Sequence, residues 1–336
     1  MKYNTPMSQI YQKLRQMRGR PPRTISFLKD PNNISYTTQK EIANRLAESF
    51  SSTSSYDNCS PTFQQIQTLQ ESSPLDFSSN ETLDYNLPFT MIELKSALSS
   101  AANTSPGPDK IHYLMIKYLP QQALEHLLTI FNRFWSTSYY PPKWCESCII
   151  PIPKPGKDHT NPTNYRPIAL TSCLGKLMEK IINKRLIEYL ENNKLLSPFQ
   201  CGFRKNRATA DHLIRLDTFI KKAFADNKVT IGVFFDLAKA YDTTWRYGIL
   251  RDIYNLGMKG ELPKYVVEFL RERRFRVAVG SAVSEEKLQE AGIPQGCILS
   301  VTLFAIKINS ISSIIPQQVH QSLFVDDVQI KAYRLL

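Results

Sequence analysis

The chain has 336 residues, with 42 Lys plus Arg against 30 Asp plus Glu and a formal net charge of +12. A hydrophobic fraction of 42% suffices for a buried core and excludes a disordered, collagen-like or low-complexity chain. The positive excess points to nucleic acid, with acidic membrane surfaces as the rival, because phosphates reward Lys and Arg through counterion release.

At the start, MKYNTPMSQI has no apolar signal-peptide core. The first helix signal is a capping box, Thr38 with Glu41, ahead of Ile42, Leu46 and Phe50 spaced four apart. Residues 51–80, rich in Ser, Thr and Asn, predict a mobile linker. A second capping box, Thr90 with Glu93, precedes Leu94, Ala97 and Leu98. Seven prolines between Pro141 and Pro167 then predict loops and short strands, with one strand at Ile149, Ile150 and Ile152.

The clearest helix follows. Leu174, Leu177, Met178, Ile181, Ile182, Leu186, Tyr189 and Leu190 share one face, with Lys176, Lys180, Lys184 and Arg185 on a solvated remainder. A helix over 209–225 should turn Leu213, Leu216, Ile220 and Ala223 inward. Val229 to Phe235 is a continuous apolar, β-branched run, the pattern of a strand buried on both faces. Helices are expected at about 243–256, after Pro263 and over 298–313, and a half-buried strand at Phe275, Val277 and Val279. Two last strands, 322–325 and 328–333, meet at Asp326 and Asp327. The mixture has no βαβ rhythm, so the fold class is α+β. No run approaches the ~18 apolar residues of a spanning helix. Six scattered cysteines suit a reducing compartment better than a disulfide framework.

Chemistry concentrates in three carboxylates. Asp236 ends a strand in FFDLAKAYD, and Asp326 and Asp327 sit at a hairpin in LFVDDVQI. Carboxylates brought together repel and call for hard cations such as Mg²⁺, and two such ions can clamp a phosphoryl displacement. An Asp pair alone has a bland reading, since Asp is a common turn residue. Its context is GIPQGCILSVTLF (292–304), whose glycines let backbone approach a ligand closely.

The ordered set NYRPIAL (164–170), FQCGFRKNRAT (199–209), FFDLAKAYDTT (234–244), GIPQGCILSVTLF (292–304) and FVDD (324–327) resembles the reverse transcriptase of non-long-terminal-repeat (LINE-type) retrotransposons, close to the Jockey-like branch. SPGPDKI (105–111) and IIPIPKPGKD (149–158) fit the same family, and the likeness runs from about residue 90 to 336. The resemblance implies a right-hand polymerase with fingers and palm (89–336, core motifs 134–336), after an N-terminal helical extension and linker (1–88). It implies RNA-directed DNA synthesis by attack of a primer 3′-hydroxyl on a deoxynucleoside triphosphate. Asp236, Asp326 and Asp327 would hold two Mg²⁺, with Mn²⁺ as a substitute. Tyr241 would exclude the ribose 2′-hydroxyl, Gln295 and Gly296 would lie beside the incoming nucleotide, and Arg204 would hold its triphosphate. Lys154, Lys157, Arg166 and Arg207 would meet RNA template and DNA primer. Residues 143–222 carry a net charge of +8, two thirds of the excess.

Three positions depart from the family pattern. Cys297 stands where Ser is more frequent, Val301 where many members have Pro, and Phe324 where Tyr is commoner. The chain ends nine residues after Asp327, so the expectation is a piece cut off before the thumb, placed inside the cell. Two rival functions stand beside the enzyme: a catalytically dead nucleic-acid-binding remnant, and an RNA-templated RNA polymerase, against which the bulk of Tyr241 argues. Cys145 and Cys148 form a lone C-x-x-C, short of a zinc site.

Overall fold

The computed structural model describes residues 25–29, 32–316 and 318–335. The first 24 residues of the expected extension lie outside them. The strands in chain order are β1 (Leu28–Lys29), β2 (Ser35–Tyr36), β3 (Glu146–Pro153), β4 (Tyr165–Leu170), β5 (Lys228–Asp236), β6 (Arg273–Val279), β7 (Ala282–Val283), β8 (Lys287–Gln289), β9 (His320–Phe324) and β10 (Asp327–Leu335). The longer helices are α1 (Gln39–Thr53), α2 (Pro61–Glu71), α3 (Met91–Ser99), α4 (Gln121–Ser136), α5 (Cys173–Asn192), α6 (Thr209–Ala225), α7 (Arg246–Asn255), α8 (Glu261–Leu270) and α9 (Ile298–Asn309). Helices and strands mix as an α+β chain should.

Both capping boxes form. Thr38 Oγ1 accepts from the Glu41 amide, and Glu41 Oε2 accepts in return from the Thr38 amide at 3.1 Å. Thr90 and Glu93 repeat the exchange. Ile42, Leu46 and Phe50 of α1 are buried against Ile149, Phe275 and Val277 of a five-stranded sheet, ordered β4-β3-β6-β7 with β8 beside β6. Each such side chain contributes about 1.5–3 kcal/mol on burial. The larger core surrounds α5, whose Leu177, Met178, Ile182 and Leu186 are buried among α3, α4, α7, α8 and α9. A separate three-stranded antiparallel sheet, ordered β5-β10-β9, carries the candidate carboxylates.

Several expectations are corrected. The stretch 51–80 is not an unstructured linker. It contains α2, started by the Ser60 cap and Pro61, and is tied to the core by Trp245 Nε1 donating to Glu71 at 2.6 Å and by buried Phe77. Arg185 is not on a solvated face of α5. It is buried and donates to Glu93 at 2.7 Å and to the Pro88 carbonyl at 3.0 Å, and Lys176 is buried too. Strand β5 is not buried on both faces. Among the described residues it pairs only with β10, and Val229, Ile231, Val233, Phe234 and Phe235 are exposed. Helix α6 buries Ala223 and half-buries Leu216 and Ile220 as expected, but Leu213 is exposed and Phe219 is buried, with the Lys331 ammonium of β10 5.2 Å from its ring. Among the described residues, no helix is long and apolar enough to cross a membrane.

Candidate active site

The β5–β10 register places Asp327 opposite Asp236, and the β10–β9 register places Asp327 opposite Phe324. Two residues therefore turn the hairpin, Val325 and Asp326. This shifts the expected turn by one, since Asp327 already opens β10. Val325 has φ +60, costly for a β-branched residue and typical of a turn that follows strand twist. Asp326 is held above the usual carboxylate range, first by partial burial and then by the charges of Asp327 and Asp236. Asp326 thus feels the other two charges. Their all-oxygen character suits a hard cation. Among the described residues, no three acidic, His or Cys side chains yet close around one point as a metal site.

A second wall of the site is stitched from two segments. The Gly292 amide donates to the Thr244 carbonyl at 2.7 Å and the Ile293 amide to the Tyr241 carbonyl at 2.8 Å. Gly292 has φ +78, and a Cβ there would lie 2.4 Å from the Asp242 carbonyl oxygen, so only glycine permits this crossing. Tyr241 stacks on Phe304 with ring centroids 4.7 Å apart. Burial, and then the Asp326 charge, push its phenol up to about 12. Gln295 Nε2 donates to Asp242 Oδ1 at 2.7 Å, and its carbonyl accepts from the Ala169 amide of β4 at 2.8 Å. Gly296 lies against the same strand, since its Cβ would fall 2.4 Å from the Ala169 carbonyl oxygen. The loop bearing Gln295 and Gly296 therefore ties β4 to the segment that follows β5.

The basic residues divide. Arg166 on β4 and Lys157 are exposed to solvent, and Lys154 is half-buried, with Nζ donating to the Thr163 carbonyl at 3.2 Å. Arg204 is already engaged: its side chain is 9% exposed, forks onto the Glu191 carboxylate and donates to the Ser197 carbonyl at 2.7 Å. A group so engaged holds its own loop. Arg207 likewise donates to the Pro198 and Gln200 carbonyls.

Four residues that support the site carried little sequence signal. Asp242 could have been found, as the last residue of FFDLAKAYD. Burial raises its carboxyl, while the Gln295 bond and the Lys154 and Lys239 charges pull the other way. Glu179 of α5 is buried and accepts from the Ile298 and Leu299 amides, capping α9 just after the Gly296 loop. Arg246 is buried and donates to the Gly292 carbonyl at 2.7 Å and the Gln289 carbonyl at 2.8 Å. Gln200 is buried beside the carboxylate hairpin.

Residues 152–334 match the family described as reverse transcriptase (RNA-dependent DNA polymerase). The chain is 32% identical over 250 residues to a probable RNA-directed DNA polymerase from transposon BS of Drosophila melanogaster, a match covering 73% of this chain and 27% of that protein. It is 35% identical over 218 residues to the RNA-directed DNA polymerase from mobile element jockey of the same fly, covering 65% of this chain and 24% of the relative. A third relative, the Pol polyprotein from type-1 retrotransposable element R2 of Popillia japonica, is 29% identical over 221 residues, 65% of this chain and 29% of its own. The chain thus spans about a quarter of the length of the curated relatives it matches. With its ordered motifs folded into one α+β unit and the family match covering more than half its length, the chain belongs to the reverse transcriptase family, among the members from non-long-terminal-repeat retrotransposons.

Proposed function

We propose that the chain supplies the polymerase core of RNA-directed DNA synthesis, joining a deoxynucleotide to a primer 3′-hydroxyl. The observation that supports this reading is the strand register that sets Asp327 opposite Asp236, with Asp326 in the adjoining turn and its charge felt at Tyr241. In this reading residues 89–336 make up fingers and palm, the five-stranded sheet belonging to the fingers and the three-stranded sheet to the palm, after an extension over 1–88.

Asp236, Asp326 and Asp327 would hold two Mg²⁺, or Mn²⁺ in their place, and bound metal would supply neutralisation of phosphate charge and a lowered hydroxyl pKa. The rest falls to the chain's own groups. Tyr241, fixed by its stack on Phe304, presents a ring that an added 2′-hydroxyl would strike. Asp242 takes one amide hydrogen of Gln295, so the side chain is aimed before nucleotide enters. Arg166 and Lys157, exposed on and beside the fingers sheet, are the cations open to triphosphate and template, with Lys154 behind them.

The test is nucleotide selection on an RNA template. Tyr241→Ala should lower the preference for deoxynucleotides over ribonucleotides by about 10–100-fold, read as the ratio of kcat/KM values. An unchanged ratio would remove Tyr241 from the reading. Binding of template–primer without any extension by the unaltered chain would favour a nucleic-acid-binding remnant.

A further inference from the structure

The carboxylates sit on a turn that should not hold itself. A valine at φ +60 places its branched Cβ against its own backbone, a conformation that persists only where neighbours over-determine it. Gln200 supplies that constraint. It is 2% exposed, and its Oε1 accepts from the Val325 amide at 3.1 Å and from the Gly202 amide at 2.8 Å. Its Nε2 faces the Val325 carbonyl oxygen at 3.5 Å. The flanking backbone adds two bonds: the Cys201 amide donates to the Leu323 carbonyl at 2.9 Å, and the Leu323 amide donates to the Phe199 carbonyl at 3.1 Å. Gly202 closes the other side, since a Cβ there would lie 2.5 Å from Val325 Cγ2 and 2.6 Å from its nitrogen. Arg204 and Arg207, engaged with the Ser197, Pro198 and Gln200 carbonyls, hold the segment in place.

We infer that Gln200 is a positioning residue: its side-chain amide clasps the Val325–Asp326 turn and so sets where Asp326 and Asp327 point. This rests on the proposal that those carboxylates bind the catalytic cations. Without the clasp, Val325 relaxes toward negative φ and the tip turns away, and ligands displaced by about 1 Å no longer share an ion. The segment FQCGFRKNR thus acts on the metal site through the turn.

The test follows Mn²⁺ binding by electron paramagnetic resonance on the whole chain, alongside the Mg²⁺ dependence of primer extension. Asp326→Asn must weaken Mn²⁺ binding; if it does not, the carboxylate reading itself fails. Given that loss, Gln200→Ala should weaken Mn²⁺ binding about tenfold, and should lower kcat for extension with KM for deoxynucleotide within about twofold. The decisive variant is Gln200→Ala with Val325→Gly, because glycine adopts φ +60 freely and needs no clasp. It should recover most of the lost Mn²⁺ affinity. Gly202→Ala, which leaves Gln200 in place, should reproduce the loss by pushing Val325 from the other side. Native Mn²⁺ affinity in Gln200→Ala, or no recovery in the double variant, would overturn the clasp.

Discussion

The two walls of the site are built in opposite ways. The wall where residues 241–244 cross 292–296 is embedded: Ile293 and Arg246 are buried, Gly292 admits no side chain, and Phe304 backs the Tyr241 ring. The carboxylate wall stands on a three-stranded sheet whose edge strand β5 leaves Phe234 66% exposed and whose turn is clasped by one amide. Burial pre-forms the first wall and makes it intolerant. The second is open and held by few bonds, so its residues can serve chemistry at little cost to the fold.

That contrast is sharpest where a change on the embedded wall should unfold the chain. Gly292→Ala forces a Cβ into two carbonyls at an unfavourable φ and should cost more than about 3 kcal/mol, seen as insoluble protein or a collapsed urea midpoint. Arg246→Met leaves the Gly292 and Gln289 carbonyls unpaired in the interior and should cost about 2–3 kcal/mol by denaturant titration. A wild-type midpoint for either would show that the wall is not embedded as described.

Smaller effects are expected toward the open wall. Glu191 is held below the usual carboxylate range, first by its hydrogen bond from Arg204, with burial opposing and the charges of Arg204 and Arg207 assisting. A lowered folded pKa contributes stability that is complete above the unfolded value and is lost as pH falls through the folded one. Glu191→Gln should therefore cost about 1 kcal/mol at pH 7, and the gap from wild type should narrow once pH drops below about 4.3. A gap independent of pH would deny the Arg204–Glu191 pair its role. At the far end, Phe234→Ser on the exposed strand should move stability by less than about 0.5 kcal/mol.

The sequence made one kind of feature readable and hid another. Strand β6 follows its periodicity closely, and both capping boxes form, because these signals are local. The motifs brought Asp236, Tyr241, Gln295, Asp326 and Asp327 into view for the same reason. What stayed hidden depends on partners distant in sequence. The apolar run of β5 suggested double burial, yet a strand's cover is decided by neighbours, and among the described strands β5 pairs with β10 alone. The fork of Arg204 onto Glu191, thirteen residues earlier, was likewise not legible. Glu179, Arg246 and Gln200 serve backbone groups up to 125 residues away, a relation no spacing encodes.

The most direct test of this contrast measures primer extension on an RNA template and the melting temperature of Asp326→Asn from one preparation. Because burial and two neighbouring charges raise Asp326, its ionised form opposes folding at neutral pH. Extension should fall to background, with a melting temperature equal to or slightly above wild type. Undiminished extension, or loss of extension together with the fold, would contradict this.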